Sequence, residues 1–570
     1  MSSIASCVGD LARRVVVTSG RVPGWVALVV SVALGGVILS SCGGGGGSSG
    51  GGGGSNCTVT GVSATANPTS VALNAASTVS ATVTASSSCS DAVTWSALPA
   101  GGTLTVSGGT ATFTSGTAGT YTITATSSDD ASKAGSASVV VMPAVAACGT
   151  PNGTVVTHAS NISADETWAG GGVTHQVQNS IEITGAAVVT VQPCAIVAMG
   201  PGATITVIGT AKLLAAGTSS TSFVVFERAD VNQAWGILRG ASDTSMIELH
   251  WTVLQGAGAF GGEYNNPAIA AVGPGYFVPP AAVVKVDNVF IQSPQGTGVY
   301  LDANAAFTAD SQALTISGAT TYPVLVDMMA LGSIPSGSYT GNAIDEINIV
   351  GPSANVFGDL TIHDRGVPVR IQTGGLSVAP SGKSTTPVTL TVEPGVTVKF
   401  PKANATTPGA RVIFGTNGSV SNNLVGVLNA VGTADKPIVF TSGEANPAPG
   451  DWVGLWLDTA TGSKLENVEI SYAGAPSGIV SANCRPLNTP DNAALIIGDF
   501  EAQYVPPSDL ITNSVVSNSA GFGIDAVWRA STYNGPDLTS GNTFLSNAMC
   551  AQTFNGPTTG VCPANGCTAN

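Results

Sequence analysis

The densest polar cluster in the chain is His363-Asp364-Arg365, inside DLTIHDRGVPVRI. These three residue types could move a proton, with His363 or Arg365 as the transferring group and Asp364 as its partner. Such work needs groups that converge from different parts of a fold, and a single stretch supplies only one side of a site. The simpler reading is a polar turn whose exposed ion pair is worth at most about 1 kcal/mol. The pair Asp345-Glu346 precedes the apolar run INIV. It has the oxygen chemistry of a Ca²⁺ ligand, but a solvated strand start is the simpler expectation, and no cofactor is expected. Asp302 and Asp525 each follow a Gly-x-Gly corner. An aspartate there is expected to cap backbone amides. His250 stands in LHWTVL where a similar later stretch has Glu466, and a position that accepts both is expected to face solvent. HExxH, GxxxxGK[ST] and DxDxDG do not occur.

Aromatic and sulfur groups follow. Trp235 and Trp452 occupy matching places in two similar stretches, and Trp456 follows the second. Their rings could stack on sugars, or pack loops onto a core, which equal placement favours. Of the ten cysteines, Cys7 and Cys42 lie near the N-terminus. Cys57, Cys89, Cys148, Cys194, Cys484, Cys550, Cys562 and Cys567 remain as disulfide candidates, with sequential pairing expected: 57–89, 148–194, 484–550 and 562–567. No CxxC pair or histidine cluster accompanies these thiols to favour metal.

What must position these groups is β-structure. Only 9% of residues are charged, 73 are glycine, and Ser, Thr, Ala and Val abound where helices would need Leu, Glu, Lys and Arg. Apolar content of 43% is ample for a core. The net charge of -15 disfavours nucleic acid and anionic lipid as partners. It also fits a soluble surface outside the cell.

Residues 1–42 read as an export signal. Arg13, Arg14 and Arg21 flank the apolar run Val26–Leu39, which is too short to span a bilayer comfortably. The run ends in Leu39-Ser40-Ser41-Cys42, which resembles the bacterial lipobox. That resemblance implies a lipid on Cys42 and a membrane as partner, and Gly43 after the cysteine leans it to the outer membrane or cell surface. Residues 43–56 are a Gly/Ser tether with a root-mean-square reach of about 20 Å. Residues 57–145 alternate apolar and polar in short runs between turn residues. VSATANPTSVAL, Trp95 in VTW and GTYTITAT resemble the bacterial Ig-like domains of surface proteins, which implies a small β-sandwich with Trp95 in its core.

From Cys148 onward the pattern repeats. Pro193 aligns with Pro394, Gly217 with Gly432, Trp235-Gly236 with Trp452-Val453-Gly454, Leu249 with Leu465 and Gly258 with Gly474. Pro279-Pro280, Asn288 and Gly296-Thr297-Gly298 then align with Pro506-Pro507, Asn513 and Gly521-Phe522-Gly523. Two units are expected, 148–350 and 351–570, each built of coils of roughly 20–25 residues. VEPGVTVKF, GTADKPIVFTS, GDWVGLWLD and LENVEISYAG resemble repeats of the right-handed parallel β-helix, of the pectate-lyase-like and adhesin-like type. The expected fold is therefore all-β, a small Ig-like sandwich followed by a long duplicated parallel β-helix. The resemblance implies a surface lipoprotein, monomeric, that binds polysaccharide or another surface polymer. A polysaccharide lyase or glycoside hydrolase is the rival, and a structural stalk the third reading. Polygalacturonase-like enzymes of this fold carry Gly-His-Gly and Arg-x-Lys, and neither occurs here.

Overall fold

The computed structural model describes residues 57–142, 151–261, 265–351, 354–372, 375–380, 386–403, 410–415, 425–458, 460–478, 483–486, 489–498, 505–530, 535–557, 562 and 567–568. Residues 1–56 with Cys42, and Cys148, lie outside these. Among the described residues the regular structure is almost all strand, 48% of the chain, and the one helical element is the short 3-10 turn Met328–Ser333.

Eight strands between Val59 and Met142 form two four-stranded sheets. Strict alternation builds them: in Gly119–Ser127, Tyr121, Ile123 and Ala125 are buried while Thr120 and Thr122 face outward. Val71, Val79, Phe113, Tyr121, Ile123, Val139 and Val141 close the space between the sheets, and Trp95 packs against them half-buried. A Cys57–Cys89 disulfide ties this module, as expected.

From residue 155 the strands pair in parallel, except at the C-terminal end. One sheet of 13 strands runs from Ile181–Ile183 to Thr543–Leu545 with every neighbour later in sequence than the last. Parallel neighbours need a crossover of a dozen or more residues. Here the crossovers are themselves strands. They build a 12-stranded sheet up to Gly337–Ser338, then separate 8- and 5-stranded sheets from Ala354–Val356 and Leu360–Ile362 onward. The chain is thus a stack of coils. Its core is one continuous column of apolar side chains from Ile162 to Leu538, stacked rung on rung, as with Val189, Leu213, Ile247 and Val284.

Corners recur at fixed register. Trp251, Asn288 and Ala313 stand beside one another on successive rungs with φ of 41°, 57° and 52°, and Asn467 and Asn513 turn the same kind of corner at 49° and 51°. Asparagine tolerates this left-handed region, and tryptophan does so at a cost. Two of the pairs that align in sequence sit in equivalent surroundings. The indole nitrogens of Trp235 and Trp452 each donate, at 2.8 Å, to a backbone carbonyl one coil on, those of Gln255 and Ser471. A Cβ on Gly296 or on Gly521 would meet a carbonyl oxygen, of Asn265 or Asn492, at 1.9 Å.

The C-terminal disulfides differ from the sequential expectation. Cys484 pairs with Cys562, and Cys550 with Cys567. The physical reason is a reversal. The strand Cys567–Thr568 runs antiparallel to Gln552–Thr553, and Cys484 bridges antiparallel to Phe554. The fold-back brings each thiol beside a partner that is distant along the chain. Cys194 is also disulfide-bonded.

Candidate ligand-binding cleft

His363, Asp364 and Arg365 do not form an acid–base unit. His363 Nδ1 lies 2.8 Å from Glu393 Oε1, and the Asp364 amide donates to Glu393 Oε2 at 2.9 Å. Burial alone would raise the Glu393 pKa, but these bonds outweigh it and hold it below the usual range. Asp364 Oδ1 accepts from the Gly366 amide, while Oδ2 meets Lys436 Nζ at 3.1 Å. Arg365 donates through Nε and Nη2 to the Ile334 carbonyl at 2.9 and 2.7 Å, closing the end of the 3-10 turn. Each side chain is spent on a different neighbour.

The tryptophans are not stacking platforms. Trp235 and Trp452 are 0% exposed and Trp456 is 4% exposed, so a sugar ring cannot reach them. Trp452 instead stacks on Phe400 at 4.2 Å, and Trp456 donates to the Gly498 carbonyl. The carboxylates of Asp345 and Glu346 are also occupied. Asp345 accepts from the amides of Gly341 and Asn342, and Glu346 is paired with Arg370 and with Lys399 at 2.7 Å. Among the described residues, the one cluster with metal-ligand reach is Cys57, Cys89 and Asp129, and its thiols are joined to each other.

His250 lies on a charged ladder across successive rungs. Its ring sits 2.7 Å from Glu248 and 3.6 Å from Asp287, while Lys212 and Lys285 also pair with Glu248. Asp302 caps the Ala303 amide at 2.8 Å, as expected of a corner aspartate, and also accepts from the Tyr276 hydroxyl. Asp525 is different: it is 0% exposed and lies inside the stack. One rung from Asp302, Asp327 is 4% exposed and accepts the Asn304 amide at 2.9 Å. Burial, with the Asp302 charge adding to it, raises its pKa to about 6.

A cleft of about 730 Å³ lies between the N-terminal module and the stack. One wall is the outward face of the module, where alternation presents the hydroxyls of Thr120, Thr122, Ser136 and Ser138. The other wall carries Ser336, Ser338 and Thr340, with Asp364, Arg365 and Lys436 beside them. Tyr339 is buried there, its hydroxyl donating to the Pro335 carbonyl at 2.6 Å. Two contacts join the walls elsewhere. Ala118 packs on an apolar patch of Phe223, Val225, Val253 and Phe290, and Gly341 lies so close to Thr69 that a Cβ would sit 2.9 Å from its hydroxyl. A cleft lined by donor–acceptor hydroxyls, one ion pair and no large exposed apolar side chain is chemically suited to a polyhydroxylated ligand.

Asp364 and Arg365 were legible as polar residues in sequence, and the structure puts both on this cleft. The hydroxyl wall was not legible, because outward Ser and Thr on alternating strands occur all along the chain. Compared with protein-family models, curated proteins and solved structures, the chain matches none, and its function is argued from this geometry alone.

Proposed function

We propose that this is an exported lipoprotein, held by a lipid on Cys42 at the outer membrane or cell surface, that binds polysaccharide or another surface polymer. In this reading the N-terminal module is an Ig-like sandwich and the stack a right-handed parallel β-helix. The single observation that carries the reading is the 730 Å³ hydroxyl-lined cleft between them. The leader, the Gly/Ser tether and the acidic surface support it.

The test is retention of the purified protein on a panel of immobilised polysaccharides. Lys436→Ala and Thr122→Lys alter the cleft without touching the core. Binding that both substitutions weaken supports the cleft. Binding that neither changes moves the site elsewhere, and no retention on any polymer or on intact cells removes the reading. A polysaccharide-cleaving enzyme is the second reading. The observation that favours it is the neighbouring pair Asp302 and Asp327, one of them held partly protonated near neutrality. New reducing or unsaturated ends in the same panel, lost on Asp327→Asn, would establish it.

A further inference from the structure

We propose that Thr553 and Asn483 become joined by a self-formed ester: the Thr553 hydroxyl displaces ammonia from the Asn483 side-chain amide. Asn483 and Thr553 lie 70 residues apart and meet where the chain folds back at the end of the stack. Thr553 is 0% exposed and Asn483 8% exposed. The inference does not depend on the ligand reading above.

Every part needed for acyl transfer is in contact. Thr553 Oγ1 donates to Asp525 Oδ1 at 3.0 Å, and the Ala526 amide fixes the hydroxyl by donating to it at 2.8 Å. Asn483 Nδ2 lies 3.3 Å from Thr553 Oγ1 and also donates to Asp525 Oδ1. The Asn483 carbonyl oxygen accepts from Arg485 Nη1 at 2.5 Å. Arg485 is itself held by the Thr489 carbonyl at 2.9 Å and by Asp491. A positioned base beside a hydroxyl, and a fixed cation on the carbonyl oxygen where negative charge develops, are the two requirements of nucleophilic acyl transfer.

The carboxylates supply the proton path. Asp491 is 1% and Asp525 0% exposed, and the Arg485 guanidinium pairs with Asp491. Among the described residues Asp525 Oδ2 is buried with no hydrogen-bond partner, and the Asp491 carboxyl stands close enough for its charge to act on it. One proton held by the two carboxyl groups would leave the cluster neutral with Arg485. Burial first, then the Asp491 charge, pushes the Asp525 pKa up. In the reaction Asp525 Oδ1 takes the Thr553 proton as its Oδ2 proton shifts to Asp491. The oxygen of Thr553 bonds to the Asn483 side-chain carbon, whose oxyanion faces Arg485. The carbon–nitrogen bond then breaks, and nitrogen leaves as ammonia with the proton returned by Asp525. One hydroxyl and one amide give one ester and one ammonia, with no other reactant. Burial keeps water from hydrolysing the product.

The experiment is peptide mapping by mass spectrometry of the full-length protein, digested with its disulfides intact and again after reduction and alkylation. The expected result after reduction is a linked pair of peptides carrying Asn483 and Thr553, lighter by one ammonia and separated by hydroxylamine. Thr553→Ser should keep the link; Thr553→Val and Asp525→Asn should lose it while retaining the Cys484–Cys562 disulfide, which reports that this end has folded. Free, unmodified Asn483 and Thr553 peptides from wild-type protein that carries that disulfide would overturn the proposal. So would conversion of Asn483 to aspartate without a partner, or a link that survives in Thr553→Val.

Discussion

Asp327 gives the sharpest quantitative test of the electrostatics. Its carboxyl is raised from 3.8 to about 6, by burial first and by the neighbouring Asp302 charge. Between those two pH values the folded chain binds the proton that the unfolded chain has released. The slope of stability with pH is set by protons bound unfolded minus folded, so this group makes stability fall as pH rises. Its contribution is fully present below pH 3.8 and is lost as pH rises through about 6. Two pKa units at about 1.4 kcal/mol each amount to roughly 3 kcal/mol. Asp327→Asn removes the titration and keeps an oxygen to accept the Asn304 amide. Stacked coils can open locally, so the assay is hydrogen exchange of the strands Val299–Asp302 and Val324–Asp327 between pH 4 and 7, corrected for intrinsic rates. The variant should gain about 3 kcal/mol relative to wild type across that range. A difference that stays flat, or that grows in the opposite direction, would refute the argument that this carboxyl is held protonated by burial.

Glu346 is 8% exposed and paired with two cations on successive rungs, so Glu346→Gln should cost about 2–4 kcal/mol in local opening of Ile347–Val350. A double-mutant cycle with Arg370→Met measures the coupling. His158 and His175 touch at 3.0 Å and stack on Trp168 at 4.0 and 5.3 Å. Burial lowers both pKa values, with mutual repulsion adding to that of His158. The unfolded chain therefore binds more protons below about 6.5, and the first coils should loosen as pH falls, read as quenching or shift of tryptophan emission that His158→Gln reduces. Asn467 turns a corner at φ 49° and donates to the Gly432 carbonyl at 3.1 Å. Asn467→Ala should destabilise by about 1–2 kcal/mol, and Asn467→Gly by less, in urea unfolding.

The architecture was legible where local pattern and packing agree. VTVKF becomes the strand Thr397–Phe400 with Val398 and Phe400 buried, and PIVFTS becomes Ile438–Ser442 on the next rung. The matching Trp235 and Trp452 take matching buried places because each fills the same corner of its coil. Sites built from distant segments were not legible. Asp525 follows a Gly-x-Gly corner just as Asp302 does, but its neighbours come from Asn483, Asp491 and Thr553, which no local spacing links to it. The cysteine partners failed for the same reason, since proximity along the chain says nothing about a tail that reverses.

That reversal bears on whether the stack can grow end to end. A stack of parallel rungs ends in a strand whose free amides and carbonyls would accept a further rung from another molecule. At the end of the 8-stranded sheet the next strand, Cys567–Thr568, lies antiparallel and is fastened through Cys567 to Cys550. It occupies the edge with a strand of the wrong direction for continued parallel growth. Removing it would turn the terminus into a template, so a chain cut after residue 557 should polymerise end to end into fibres that light scattering and electron microscopy would reveal.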